Sequence, residues 1–279
     1  MRLIRYGDKG REKPGIEIEG TRFDCSKMFK DWDREFFNDN GLQKLEDALK
    51  KANIHQVRGI ERVASPIARP GMIICVGLNY SDHAKESKME VPPEPVLFMK
   101  ATNTLAGAHD KVPIPKGSEK VDYEIELGIV IGRDIYQLDS EDEAEDAIAG
   151  YTVVNDVSER NYQIKKQGQW VKGKSSPGFC PTGPCLVTKD EIDNVDNLKI
   201  TLKVNDTIRQ DSNTSFMVFS PKYIVKYISQ YMKLEAGDLI CTGTPSGVAL
   251  GMKEDGYLKK GDLVDLEIEN IGTLSHMFV

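Results

Sequence analysis

The chain predicts an α+β fold with a large, mostly β core, and three features of the sequence carry that expectation. Strand-like runs recur at 72–80, 95–100, 121–132, 150–157, 198–205, 238–244 and 262–272. Gly and Pro residues punctuate the stretches between them, as turns require. Only SPKYIVKYISQYMKL (220–234) reads as a clear helix, with Ile224, Tyr227, Ile228 and Tyr231 expected on one stripe. Strands that outnumber helices without alternating with them point to α+β rather than to a doubly wound sheet.

The amino-terminal part has a different texture. RLIRYG and GIEIEG, separated by a Gly/Pro segment, fit a hairpin. Trp32, Phe36, Leu42, Leu45, Leu49 and His55 follow at roughly helical spacing, interrupted by Gly41. Prolines in SPIARPG (65–71) mark a boundary, which divides the chain into a small α+β module, 1–66, and a main catalytic domain, 67–279. The module is too short to build much core alone.

Composition excludes several classes. The chain has 279 residues and a net charge of −7, with no long Lys/Arg block, so a nucleic-acid partner is not expected. The start, MRLIRYGDKG, is charged and lacks the apolar core of a secretory signal. No apolar run reaches the roughly 18 residues that span a bilayer. The five cysteines share no zinc-like spacing, and Cys180 and Cys185 lie in a Pro/Gly stretch, so free thiols are expected. The expectation is a cytoplasmic protein with no membrane partner.

The 121–132 run, VDYEIELGIVIG, carries the first chemical signal. Strand alternation puts Val121, Tyr123, Ile125 and Leu127 on one face and Asp122, Glu124 and Glu126 on the other. Neighbouring carboxylates repel unless something positive lies between them. A solvated sheet face is the usual setting for an isolated Glu-x-Glu. Here apolar residues resume at once on the same strand, and a second strand-like run, YTVVND, ends in Asp156. Glu124, Glu126 and Asp156 then form an all-oxygen donor set, suited to Mg²⁺ or Mn²⁺, with Ca²⁺ able to substitute, rather than to zinc.

The second signal is NYSDHAKE (79–86). In a helical turn His83 and Glu86 are i, i+3 neighbours, and a carboxylate beside an imidazole orients it and raises its basicity. Such a pair suits a general base acting through water. A surface turn with an incidental ion pair is the commoner setting, but this pair directly follows a buried-strand pattern. His55, His109 and His276 lack a carboxylate at that spacing and read as structural.

Six segments in order, ICVGLNYSDHAKE, PVLFMK, VDYEIELGIVIG, NDVSERNYQ, GQWVKGKSSPGFCPTGP and LICTGTPSGV, resemble the fumarylacetoacetate hydrolase family over essentially 70–279. The resemblance implies a mixed-β, partly open barrel or roll, assembled as a homodimer. It implies metal ligands Glu124, Glu126 and Asp156, and a catalytic dyad His83 and Glu86 like that of the acylpyruvase-like branch. It further implies that Lys174 stabilises developing negative charge, that Arg160 and Gln163 face the substrate, and that Thr244 holds a substrate carboxylate. Lys100 is a further carried-over substrate contact.

The activity so implied is metal-dependent cleavage of the carbon–carbon bond of a 2,4-diketo acid, giving a pyruvate-type product and a carboxylic acid. The loop around Lys174 resembles the subgroup containing hydrolases of diketo-deoxy sugar acids, which leans towards a sugar-derived substrate. Decarboxylases of oxaloacetate-type acids and keto–enol or double-bond isomerases share the same metal–enolate platform. A non-catalytic protein that binds a metal or a small acid is a further alternative.

Overall fold

The computed structural model describes residues 1–51, 54–59, 61–81, 91–252 and 256–279. Its backbone is an eleven-stranded mixed sheet. The strand order runs His55–Gln56, Thr21–Asp24, Lys13–Ile18, Arg2–Tyr6, Cys180–Thr188, Ile148–Asn155, Ile125–Ile131, Leu239–Cys241, Ile73–Gly77 and Val96–Lys100. Leu105–Ala106 pairs in parallel with Cys180–Thr188 off that path. A four-stranded antiparallel sheet (Thr207–Asn213, Lys199–Val204, Leu263–Ile268, Gly272–Met277) packs against it, and the path does not close into a barrel. This is the α+β, mostly β architecture expected from the pattern.

The two sheets meet over one core and the large sheet covers a second. Ile125, Leu127, Ile129 and Ile131 join the cluster that contains Ile200, Leu202, Val264, Leu266 and Leu274. Val130, on the opposite pleat, joins Val154, Leu239, Cys75 and Trp32. The side-chain period of two therefore sends the even-numbered residues of this strand, Glu126 among them, to the second side.

The first two strands form the expected hairpin, Arg2–Tyr6 against Lys13–Ile18, and the sheet continues from Leu3 onto Leu186. The helical region splits into Arg34–Asn38 and Gly41–Leu49, with Asn40 at a left-handed φ of 52° between them. His55 is in a short exposed strand rather than on a helix. Trp32, fully buried, precedes both helices; its indole Nε1 donates to Ile4 O (2.8 Å) and Gly15 O (3.1 Å), tying the loop to the hairpin. Phe36 packs on it at a ring distance of 4.4 Å.

Two further sequence expectations change. The 121–132 run is two strands, Val121–Asp122 and Ile125–Ile131, with the first paired to Ser158–Glu159. The predicted helix forms over Pro221–Ser229, capped by Ser220, but Tyr227 and Tyr231 leave its buried stripe. Ile224, Val225 and Ile228 fill that stripe. The tyrosines instead line up outside it, Tyr223 stacked on Tyr227 and Tyr227 tilted at 58° against Tyr231, because phenol groups keep one end in water.

Trp32→Ala removes a buried ring together with its two anchoring hydrogen bonds. It is expected to lower unfolding free energy by about 3–5 kcal/mol, read from the denaturant midpoint at unchanged slope.

Candidate metal centre

Four buried carboxylates and three buried cations meet where the strands Ile125–Ile131 and Ile148–Asn155 end. Glu124, Glu126 and Asp156 each offer an oxygen within 4.8 Å of the others. Glu126 rides the strand, while Glu124 lies just before it, where the ladder gives out. There the backbone is held by side chains and turns instead: Glu124 N donates to Asn155 Oδ1 (3.0 Å) and Asp156 N to Glu124 O (2.9 Å). Asp122 does not join the trio, because the break before Ile125 redirects it. It accepts from Ala249 N (2.8 Å) and Leu250 N (3.0 Å) and pairs with Arg160.

The cations interleave with the carboxylates. Lys174 Nζ is 2.6 Å from both Glu124 Oε2 and Asp156 Oδ2. Lys100 Nζ is 2.5 Å from Asp156 Oδ1 and donates to Val157 O at 3.1 Å. Arg160 spans Asp122 Oδ2 (2.7 Å) and Glu124 Oε1 (2.6 Å), with its third nitrogen on Gln163 Oε1 (2.9 Å). Burial works against the charge on Lys174, but Asp156 and Glu124 outweigh it and push its pKa up. The same balance, against Asp122 and Glu124, raises Arg160.

Glu126 has no ion pair among the described residues and accepts from the Gly243 N–H at 2.8 Å. Burial, then the charges of Asp156 and Glu124, raise its pKa well above the usual carboxylate range. Gly243 reaches it at φ 99°, packed so closely that a Cβ there would lie 2.8 Å from Asn79 Cβ. The carbonyl of the same peptide unit, Thr242 O, accepts from Asn79 Nδ2 (2.7 Å).

The donor set fits a hard dication. It is all oxygen, and the three cations leave the four carboxylates one positive charge short when all are ionised. Carboxylates already paired with Lys or Arg still have lone pairs to offer. Added positive charge beside Glu126 would oppose the burial and the repulsion that raise its pKa.

The fumarylacetoacetate (FAA) hydrolase C-terminal family model matches residues 72–279, three quarters of the chain. The chain belongs to the fumarylacetoacetate hydrolase family. Its fold is similar to that of fumarylacetoacetate hydrolase from psychrophilic Exiguobacterium antarcticum, at 33% identity and TM-score 0.87, covering 100% of this chain and 99% of the other. It is also similar to maleylpyruvate hydrolase from Sphingobium sp. SYK-6 in complex with manganese(II) and pyruvate, at 27% identity and TM-score 0.81, covering 100% and 99%. A third likeness is to 5-carboxymethyl-2-hydroxymuconate delta-isomerase from Mycobacterium smegmatis, at 31% identity and TM-score 0.77, covering 100% and 98%.

Among the residues singled out from the sequence, Glu124, Glu126, Asp156, Lys100, Lys174, Arg160 and Gln163 converge on one buried centre. Arg160 opens a helix, Arg160–Lys165, set off from Asp156 by the short strand Ser158–Glu159. Thr244 adjoins the centre, with Oγ1 donating to Ile125 O (2.9 Å). His83 and Glu86 lie outside the described residues. Sequence reasoning missed the buried amides Asn79, Asn155 and Gln210. His276, read from the sequence as structural for want of a nearby carboxylate, has a buried amide as its partner.

His276 is 1% exposed and stands behind Asn155, with Nε2 2.9 Å from Asn155 Nδ2. Because Asn155 Oδ1 is occupied by Glu124 N–H, its amide nitrogen faces the ring, so Nε2 accepts and the imidazole is neutral. Burial, with His109 adding to it, lowers its pKa from 6.5 to about 3. Between those values the unfolded chain binds a proton at 276 that the native protein does not. The stability this group contributes is thus complete above pH 6.5 and is lost as pH falls towards 3. His276→Gln, which keeps an acceptor, is expected to show a shallower loss of stability between pH 7 and 5 than the parent in urea titrations. Parallel curves would show that His276 does not titrate in this way.

Proposed function

We propose that the chain is a divalent-metal-dependent hydrolase that cleaves the carbon–carbon bond of a 2,4-diketo acid of the acylpyruvate type. The products are a pyruvate-type acid and a second carboxylic acid. The observation that carries this reading is the buried trio Glu124, Glu126 and Asp156, with Lys174 wedged between two of its members. The likeness to a maleylpyruvate hydrolase solved with manganese(II) and pyruvate supports it.

Glu124, Glu126 and Asp156 would hold Mg²⁺ or Mn²⁺, which when bound supplies Lewis acidity towards adjacent carboxylate and keto oxygens. Arg160 and Lys100 pair with Glu124 and Asp156 and hold them in orientation. Lys174 offsets the negative charge that grows on the substrate as the bond breaks, an electrostatic role strengthened by its dry surroundings. His83, oriented by Glu86, takes the proton from a water that attacks the distal carbonyl. Gln163 and Arg160 line the substrate side. The Thr244 hydroxyl proton is committed to Ile125 O, so a substrate carboxylate would be met by its backbone N–H. The reading includes a homodimer and, from the loop around Lys174, a hydroxylated substrate.

A second reading is a double-bond or keto–enol isomerase, favoured by the 31% identity to a muconate-type delta-isomerase, which lies between the 33% to the fumarylacetoacetate hydrolase and the 27% to the maleylpyruvate hydrolase. The two differ in whether water is consumed. Purified protein is incubated with acetylpyruvate, oxaloacetate, a diketo-deoxy sugar acid and a 2-hydroxymuconate-type dienoate, each with Mg²⁺ and with EDTA. Metal-dependent release of pyruvate or its analogue with a carboxylic acid is the expected result. An ultraviolet shift of the dienoate with no acid released assigns the isomerase, and CO₂ from oxaloacetate alone assigns a decarboxylase.

His83→Ala is expected to bind Mn²⁺ like the parent while turnover falls at least 100-fold, within the usual range for a lost general base. Full turnover in that variant removes His83 from the mechanism.

A further inference from the structure

Gln210 lies on Thr207–Asn213, an edge strand of the small sheet that contributes none of the acids or bases described above. It is nevertheless fully buried. Its Oε1 accepts from Ile125 N (3.0 Å), and its Nε2 donates to Thr244 Oγ1 (2.8 Å) and to Pro245 O (2.8 Å). The amide orientation is unambiguous, since Ile125 N–H can only donate and Pro245 O can only accept. Thr244 Oγ1, receiving the Gln210 proton, must direct its own onto Ile125 O, as the 2.9 Å contact indicates. The N–H and the C=O of Ile125 are thus both held, one by Gln210 and the other by the hydroxyl that Gln210 orients.

Ile125 is the residue between Glu124 and Glu126. The strand Leu239–Cys241 pairs with this strand only at Gly128–Val130, so no ladder on that side reaches Ile125. Gln210 stands in for the missing ladder. The approach is built in: at Gly247, φ 104°, a Cβ would lie 2.0 Å from Arg209 O, so only glycine lets the 244–247 turn rest on the strand that carries Gln210.

We propose that Gln210 is a positioning residue of the metal centre, setting the spacing of Glu124 and Glu126 and the direction of the Thr244 hydroxyl in one contact set. The proposal rests on the metal-centre reading above, though not on which reaction is catalysed. Gln210→Met matches the side chain in length but forms none of the three hydrogen bonds. Gln210→Glu keeps an acceptor for Ile125 and loses both donors.

The test measures Mn²⁺ affinity, from the electron paramagnetic resonance signal of the free ion, in parent and both variants. Thermal midpoints and steady-state kinetics are recorded alongside. The parent should bind about one Mn²⁺ per chain. Both variants should bind it about tenfold more weakly and show a raised KM, a larger effect than on kcat. A folded variant that binds Mn²⁺ within twofold of the parent overturns the role of Gln210. A parent that binds no Mn²⁺ overturns the metal centre itself, so the two failures are distinguishable.

If neither variant folds, hydrogen exchange on the parent decides. The Ile125 amide should exchange at least tenfold more slowly with Mn²⁺ bound, while Ile200, in the far sheet, is unchanged. An unaltered Ile125 rate on saturation overturns the proposal.

Discussion

The architecture depends on the mutual repulsion of carboxylates placed out of water. Asp122, Glu124, Glu126 and Asp156 are all nearly or fully buried, and isolated charges in such surroundings cost several kcal/mol each. Lys100, Lys174 and Arg160 answer them from three separate parts of the chain, each with its charged end at 2.5–2.7 Å from an acidic partner. The arrangement does not make the fold more stable than an apolar core of equal volume would. It yields a fixed field with one acidic group, Glu126, left short of positive charge.

The surrounding structure holds that field still. Hydrogen bonds from Asn155, Gln210 and the Asn79–Thr242–Gly243 chain take over where regular strand pairing stops. Stopping the ladder near the site frees backbone groups that would otherwise be consumed by a neighbouring strand. The cost is that each freed N–H and C=O needs an individual partner, because unpaired buried polar groups are expensive. Side-chain amides suit this task, since one group supplies both donor and acceptor. His276 extends the same logic outward, as a neutral acceptor behind Asn155.

The two cores divide the labour. The interface between the large and small sheets is apolar and carries the strand Ile125–Ile131 on its odd-numbered side chains. The other side of the same strand shares its cluster with the aromatic group around Trp32, so amino-terminal residues buttress the sheet directly behind the site. The hairpin Arg2–Ile18 pairs straight onto Cys180–Thr188, which makes those first residues part of the sheet rather than a separate layer.

The sequence by itself determined the β-rich architecture and the proximity of Glu124 to Glu126, because the period of two in a strand is a local property of the backbone. It also singled out Asp156, Lys100, Lys174, Arg160 and Gln163 as residues of interest, through the order of motifs resembling a family. Tertiary structure alone decided what these residues do to one another. Asp122 has the same spacing as its neighbours, yet leaves the trio because the strand breaks before Ile125 and two backbone N–H groups from 249 and 250 claim it. Tyr227 and Tyr231 have helical spacing, yet stay outside the stripe that Ile224, Val225 and Ile228 fill, with their phenol ends kept in water. Gln210 has no local signature at all in TIRQDSN. Its role comes from contacts with residues 34, 35 and 85 positions away, and such contacts are set by how sheets pack, which no periodicity along one strand encodes.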